Sequence, residues 1–328
     1  MSYTKPFSEL NFKDAPIAGG KGASLGEMTR VGIPVPPGFV VLAGAFEHFL
    51  EVTDINVEID AILDDVNHQE IHTVENASEK IQALITEAQM PNDIQQEVLS
   101  SFDTLGADLV AVRSSATSED SHDAAWAGQL DSHMNIERDN VVRIVQECWA
   151  SLFTPRAIFY RFEKNLHDTK ISVAVVVQKM IKSEVSGIAF SVHPITEDEN
   201  QMIIEAGWGF GDAVVSGSIT PDSYVVEKNP RNILDVNVSS QDRHLVRRAK
   251  DEAPDEEWGE NVWKSVPLDL QEKQKLSSDE ILALSDIVIS IESHYGFPCD
   301  IEWAKEGDIF YVTQSRPITT LKKVKEKF

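Results

Sequence analysis

Residues 171–178 read I-S-V-A-V-V-V-Q, nearly all apolar and rich in β-branched side chains. Such a run has no polar side to present to water, so it is read as a central strand buried on both faces. The fold must therefore supply a sheet with cover on each side. The chain has 328 residues of which 42% are hydrophobic, enough for a large core and for two lobes rather than one. Between residues 44 and 103 the pattern turns helical, with helices expected at 45–52, 57–66, 77–87 and 93–102. In the third, Ile81, Leu84, Ile85 and Ala88 share one face. That region is read as scaffold, and His48, His68 and His72 within it as surface residues rather than ligands.

The stretch 299–319, C-D-I-E-W-A-K-E-G-D-I-F-Y-V-T-Q-S-R-P-I-T, reads as strands at 300–304 and 309–314 joined by a tight turn at Gly307-Asp308. Glu302, Gln314 and Arg316 are poor choices for a strand that merely packs. A carboxylate, an amide oxygen and a guanidinium held close together suit a divalent cation and the phosphate oxygens it bridges. The same residues could also form an edge hairpin whose charges are solvated or paired with each other. A two-residue turn places Ile301 opposite Gln314 and leaves Glu302 one pleat away. Bringing both onto one face requires a bulge or a longer turn.

Nearer the start, A-G-G-K-G-A-S-L-G-E-M runs glycines into a short helix expected to end before Gly32. Peptide N–H groups at a helix start, with Lys21, can bind an anion, although a plain glycine turn would look the same. The spacing is not that of a P-loop. Residues 31–41 read as a proline-stiffened connection into a strand. A strand at 108–112 runs into R-S-S-A-T-S-E-D, where Arg113 at the strand end and the following hydroxyls suit phosphate. The small residues of A-A-W-A-G-Q-L-D-S, with Gly128 and Ser132, would let backbone lie against a ligand, or form a bulge. Helices are expected at 140–152 and 155–162. At the end of the apolar strand, Gln178-Lys179-Met180-Ile181 places polar groups beside soft apolar ones. That arrangement suits an adenine edge and ring as well as an ordinary strand end.

A second lobe is expected from residue 183, with strands at 186–192, 201–206, 223–227, 233–238 and 242–248 and a glycine-rich turn at 207–212. The acidic stretch 251–260 reads as a mobile loop. Ser278 is read as the cap of a helix striped by Ile281, Leu284, Ile287, Val288 and Ile291. The lysine-rich tail 321–328 is expected to fray.

The net charge of −25 argues against a broad basic face for nucleic acid, while leaving room for a small anion in a locally cationic site. No apolar run reaches membrane-spanning length and the start has no signal-peptide pattern. Two cysteines form no disulfide framework, so a cytoplasmic location is expected.

The motifs are individually weak but their order is distinctive. G-G-K-G-A-S-L-G-E-M, V-R-S-S-A-T-S-E-D with A-G-Q-L-D-S, C-W-A-S-L-F-T-P-R-A-I-F-Y-R, V-V-V-Q-K-M, S-G-I-A-F-S, V-V-S-G-S-I-T-P-D-S-Y, and D-I-E-W-A with Q-S-R-P-I-T follow one another along nearly the whole chain. This series resembles the ATP-binding domain of the dikinases: phosphoenolpyruvate synthase, pyruvate phosphate dikinase and rifampin phosphotransferase. The resemblance implies an α/β (α+β), ATP-grasp-like fold, with an N-terminal lobe at 1–182, a C-terminal lobe at 183–320 and the nucleotide cleft between them. It also implies MgATP as cofactor, a histidine on a separate domain as the first acceptor of the β-phosphoryl group, and AMP and phosphate as products. Carried over by motif, Lys21 and Arg113 bind and polarise the phosphates, Gly128 and Ser132 line the nucleotide loop, and Gln178 sits at the adenine hinge. Glu302 and Gln314 hold magnesium, and Arg316 neutralises charge on the transferred group. Phosphoryl transfer needs alignment and charge neutralisation more than covalent help, which these residue types supply.

Two departures stand out. Ser132 replaces an expected threonine and keeps the hydroxyl. No segment resembles the G-G-x-x-S-H-A surroundings of the family's phosphorylated histidine, and Ser121-His122 is only an echo of it. The expected partners are therefore a phosphohistidine swivelling domain and an acceptor-substrate domain. The acceptor, pyruvate or a rifamycin, is left open. A non-catalytic ATP sensor is the competing reading, distinguishable by binding that ignores magnesium.

Overall fold

In the computed structural model, residues 2–117, 132–163, 172–248, 261–319 and 321 are described. The chain divides into two compact units, one of Met1–Arg30 with Pro37–Met180, the other of Val31–Pro36 with Ile181–Phe328. The segment at 31–36 was expected to lead straight into the first lobe. It belongs to the second unit, where the Val312 N–H donates to Pro34 O at 2.8 Å.

The first unit contains β1 (Thr4–Pro6), α1 (Ala15–Arg30), β2 (Gly38–Val41), α2 (Ala43–Thr53), α3 (Asn56–Asp64), α4 (Ile71–Glu87), α5 (Asn92–Leu105), β3 (Val110–Ala116), β4 (Ser132–Ile136), α6 (Val141–Ala150), α7 (Pro155–Glu163) and β5 (Val173–Lys179). Its sheet runs β1-β2-β5-β3-β4, every pairing antiparallel. The apolar strand β5 lies in the middle, with Val173 through Val177 fully buried. Phe39, Val41, Val110, Val112, Val173, Val175 and Val177 pack with Phe46, Phe49, Ile81, Ile85, Val98, Val145 and Trp149 from the helices in one core. The opposite face is covered by α1. The helical scaffold follows the periodicity, except that α4 begins at Ile71 rather than at 77 and so includes His72; its histidines make local contacts: His48 reaches Asp93 and stacks on Tyr3, and His68 stacks on Phe162.

The second unit contains β6 (Val185–Phe190), β7 (Gln201–Trp208), α8 (Asp212–Val215), β8 (Asp222–Glu227), β9 (Asn232–Asn237), β10 (Arg243–Arg247), β11 (Asn261–Ser265), α9 (Ser278–Tyr295), β12 (Cys299–Glu306) and β13 (Ile309–Pro317). An antiparallel six-stranded sheet runs β13-β12-β6-β7-β8-β9, and β10 and β11 form a separate ribbon. On one face of the large sheet Met202, Ile204, Tyr224, Val226, Ile301 and Trp303 are fully buried, and α9 packs against β7, β8, β9 and β12. Lys305 on that face pairs with Glu280 of α9 at 2.8 Å. The cap of α9 is Ser277 rather than Ser278. Its hydroxyl accepts from the Glu280 N–H while the Glu280 carboxylate accepts from Ser277, a reciprocal box that fixes the start one residue earlier.

Two other expectations shift. Strand β11 was not foreseen, because its five residues pair only with β10 and carry no period of their own that marks a strand; the acidic stretch 251–260, expected as a mobile loop, lies outside the described residues. Leu321, expected to begin a frayed tail, is buried against Val192 and Ile318; residues 322–328 lie outside the described residues.

Candidate functional site

The predicted site residues fall in both units, and each set has its own geometry. In the first unit the glycine-rich start of α1 is seated on β3. The helix is broken at Gly19, whose φ of 69° and ψ of 167° suit only glycine. A Cβ there would lie 2.1 Å from Ser115 Oγ and 2.4 Å from Ser115 O. Past the break, the N–H groups of Lys21 and Gly22 donate to Ser115 Oγ at 3.1 and 3.4 Å. The helix-start amides, which the sequence left open to an anion or to a plain glycine turn, are thus engaged with a hydroxyl of β3. Lys21 Nζ donates to Ser114 O at 2.9 Å, one of the three N–H bonds an ammonium can make.

Arg113 is not at a strand end. The strand continues through Ala116, because Ser114 and Ser115 pair with Val175 and Ala174 of β5 and are fully buried. Arg113 lies opposite Val176 on one side and Ser132 on the other. Cross-strand partners share a face and residues two apart share it too, so Arg113, Ser132 and Gln178 all lie on the face that carries α1. Arg113 Nε is buried with no hydrogen-bond acceptor among the described residues. A buried guanidinium N–H in that state is suited to an incoming oxyanion.

Gln178 is buried in β5 between Gly38 and Ala111. In the segment after it, the Lys179 N–H donates to Pro37 O and the Met180 N–H to Leu109 O, at 2.8 and 3.0 Å. An adenine edge would therefore have to use other groups of this segment. Gly128 and the Ser121-His122 pair lie outside the described residues.

In the second unit the hairpin resolves the register question. Glu306 pairs with Ile309 across the turn at Gly307-Asp308, with Gly307 at φ 58°. Pairing is regular as far as Trp303 opposite Val312, and then shifts so that Glu302 lies opposite Gln314. Thr313 is the extra residue. This bulge puts Asp300, Glu302, Gln314 and Arg316 on one face, away from Ile301 and Trp303. Gln314 Nε2 donates to Glu302 Oε1 at 3.3 Å. Arg316 forks onto one carboxylate oxygen of Asp300, at 2.8 Å from Nε and 2.7 Å from Nη2.

Two residues that organise the site were not singled out from sequence. Ser115 seats the glycine loop, and Asp300 holds Arg316. Asp300 stands two positions before Glu302, so strand alternation alone could have flagged it. Ser115 was read only as one of the hydroxyls after Arg113, and its contact with Lys21, across 94 residues, leaves no local signal.

Among the described residues no three His, Cys, Asp or Glu side chains converge on a metal cage. A cation at Glu302 and Gln314 would take one carboxylate and one amide oxygen from the protein. These are hard donors that fit magnesium, which leaves its remaining positions to water and phosphate oxygens. Cys299 beside Asp300 offers no alternative chemistry. Burial pushes its thiol up to about 12, so it stays protonated.

The family described as "Pyruvate phosphate dikinase, AMP/ATP-binding domain" matches residues 15–327. A protein of Methanocaldococcus jannaschii named "Probable phosphoenolpyruvate synthase" is 46% identical over 334 residues, spanning 100% of this chain and 27% of that protein. One of Methanothermobacter thermautotrophicus with the same name is 43% identical over 335 residues, covering 100% of this chain and 47% of the relative. The "Phosphoenolpyruvate synthase" of Pyrococcus furiosus is 36% identical over 364 residues, covering 98% and 44%. The chain thus spans under half the length of these curated relatives.

Proposed function

Because the chain belongs to the family of pyruvate phosphate dikinase AMP/ATP-binding domains, we propose that it is the MgATP-binding part of a phosphoenolpyruvate synthase-like dikinase. Its α/β fold is of the ATP-grasp-like kind that this family implies. The β-phosphoryl group passes to a histidine on a separate swivelling domain: a bond from the imidazole nitrogen to the β-phosphorus forms, the bond to the α,β-bridging oxygen breaks, and AMP leaves. Water then releases the terminal phosphate. The phosphorylated histidine serves an acceptor site elsewhere, for which pyruvate is favoured over a rifamycin by the names of the relatives. A cytoplasmic setting fits this reading. Among the described residues no helix is long and apolar enough to cross a membrane, and no role for nucleic acid is proposed.

The residues take the following parts. In the first unit, Lys21 and Arg113 hold phosphate oxygens, Gly128 and Ser132 line the nucleotide, and Gln178 contributes at the base. In the second unit, Glu302 and Gln314 would hold magnesium, which when bound supplies positive charge against the phosphates. Arg316, oriented by Asp300, neutralises charge that develops on the transferred group. The observation that carries the proposal is the family match along residues 15–327. The buried Nε of Arg113, lacking an acceptor among the described residues, supports it.

Calorimetry of the chain with ATP, with and without magnesium, tests the reading. Magnesium-dependent binding that weakens in Lys21→Ala and Arg113→Ala is expected. Equal affinity in wild type and both variants would refute the site, and binding indifferent to magnesium would favour an ATP sensor.

A further inference from the structure

On the six-stranded sheet of the second unit, Glu302 pairs with Ile188 of β6, and Ile188 pairs with Glu205 of β7. Directly opposite residues share a face, so Glu205 lies on the same face as Glu302, Gln314, Asp300 and Arg316. Two strand spacings, about 9–10 Å, separate it from Glu302. On that face Ile188 stands between the two carboxylates, Ile203 lies two positions before Glu205, and Ser223 lies opposite it on β8. All of these are half-buried. Glu205 makes no side-chain hydrogen bond or ion pair among the described residues, and burial raises its carboxyl above the usual range. A carboxylate held in a partly apolar setting without a donor is costly to the fold, and the cost is recovered when O–H donors arrive.

We propose that Glu205 binds the ribose of the nucleotide whose phosphates lie at Glu302 and Gln314, its carboxylate accepting hydrogen bonds from the 2′- and 3′-hydroxyls. The proposal rests on the nucleotide reading given above. The spacing suits it: the β-phosphate and the ribose hydroxyls of one nucleoside triphosphate are separated by a span of this order, and Ile188 offers an apolar floor between them. Glu205 is thereby a specificity residue that selects ribonucleotides over deoxyribonucleotides. It takes no part in the metal site.

Calorimetric titration of wild type, Glu205→Gln and Glu302→Gln with MgATP and with the magnesium complex of 2′-deoxy-ATP tests this. Wild type should prefer ATP by about 10-fold or more, the worth of a hydrogen bond to a charged group. Glu205→Gln should lose most of that preference, weakening ATP clearly more than 2′-deoxy-ATP, which has only its 3′-hydroxyl contact to lose. Because the amide carries no charge to bury, this variant should also melt no lower than wild type. Glu302→Gln should weaken both nucleotides alike. Equal weakening of both nucleotides in Glu205→Gln, no weakening of either, or a wild type indifferent to the 2′-hydroxyl would each overturn the proposal. Failure of wild type to bind any nucleotide would instead sink the underlying nucleotide reading.

Discussion

Gln314 donates to Glu302 across 3.3 Å because Thr313 is taken up as a bulge between them and the turn. Counting back from Gly307-Asp308 without the bulge would set Glu302 against Thr313 and send Gln314 to the face of Ile301. The geometry makes a paired forecast. Deleting Thr313 should leave Glu302 opposite Gln314 in a regular ladder and preserve magnesium-dependent ATP binding. Inserting one alanine after Thr313 should turn Gln314 and Arg316 over and weaken ATP by at least about tenfold, or ~1.4 kcal/mol. Calorimetry on the two variants decides, and equal affinities would contradict the register argument.

Gly19 allows the glycine loop to lie on Ser115. Gly19→Ala would force a Cβ against the Ser115 hydroxyl and backbone and strain a positive-φ residue, at a cost of about 1–3 kcal/mol. Urea unfolding should show the lower stability, and ATP titration a weaker nucleotide through displacement of Lys21. Ser115→Ala should lose about 1 kcal/mol by leaving the Lys21 and Gly22 amides without their acceptor. If Gly19→Ala unfolds at the wild-type midpoint, the close approach is not real.

Lys275 and Asp222 form a fully buried ion pair, 2.7 Å apart. Asp222 also accepts from Tyr224 Oη and from the Ser239 and Lys275 amides, so the carboxylate is fully engaged. Lys275→Met should destabilise the second unit by about 3–5 kcal/mol, since it leaves a buried charge uncompensated. Adding Asp222→Asn should cost less than the sum of the single changes, because each single change strands the other partner. Additive losses in thermal unfolding would speak against the network.

Glu97 fastens the N-terminal strand β1. Its Oε1 accepts from Ser2 Oγ, the Tyr3 and Thr4 amides and Thr4 Oγ1. Burial pushes this carboxyl up, but the hydrogen bonds from Ser2, Thr4 and Tyr3 outweigh it and hold the group below its usual range. A lowered folded value means that the stabilisation is present at neutral pH and is lost as pH falls through the acid range of the folded carboxyl. Glu97→Gln should therefore be less stable than wild type by about 1 kcal/mol at pH 7, with the gap narrowing towards pH 3. A gap that stays constant over that range, measured by thermal melts, would rule out the carboxylate as the cause.

Much of this molecule was readable locally. The run around Val173–Val177 could only be an interior strand, the stripe of α9 could only face a core, and Gly307-Asp308 could only be a tight turn, because each signal lies within one element's own period. The readings that moved were those a neighbour decides. Arg113 was expected at a strand end, but β5 pairs with Ser114 and Ser115 and carries the strand past it. The amides after Gly19 could have served an anion or a plain glycine turn, and Ser115 decides between them by accepting from Lys21 and Gly22.

Residue order by itself determined which segments are helix or strand, which faces are apolar, and which family the chain belongs to, since these depend on pattern and composition along the chain. Only the tertiary structure decided that Gln314 faces Glu302, that Asp300 holds Arg316, and that Glu205 lies on the same sheet face. Each of these depends on ladder register, and register is set by where an extra residue is absorbed and which strands become neighbours, neither of which is written in any local stretch.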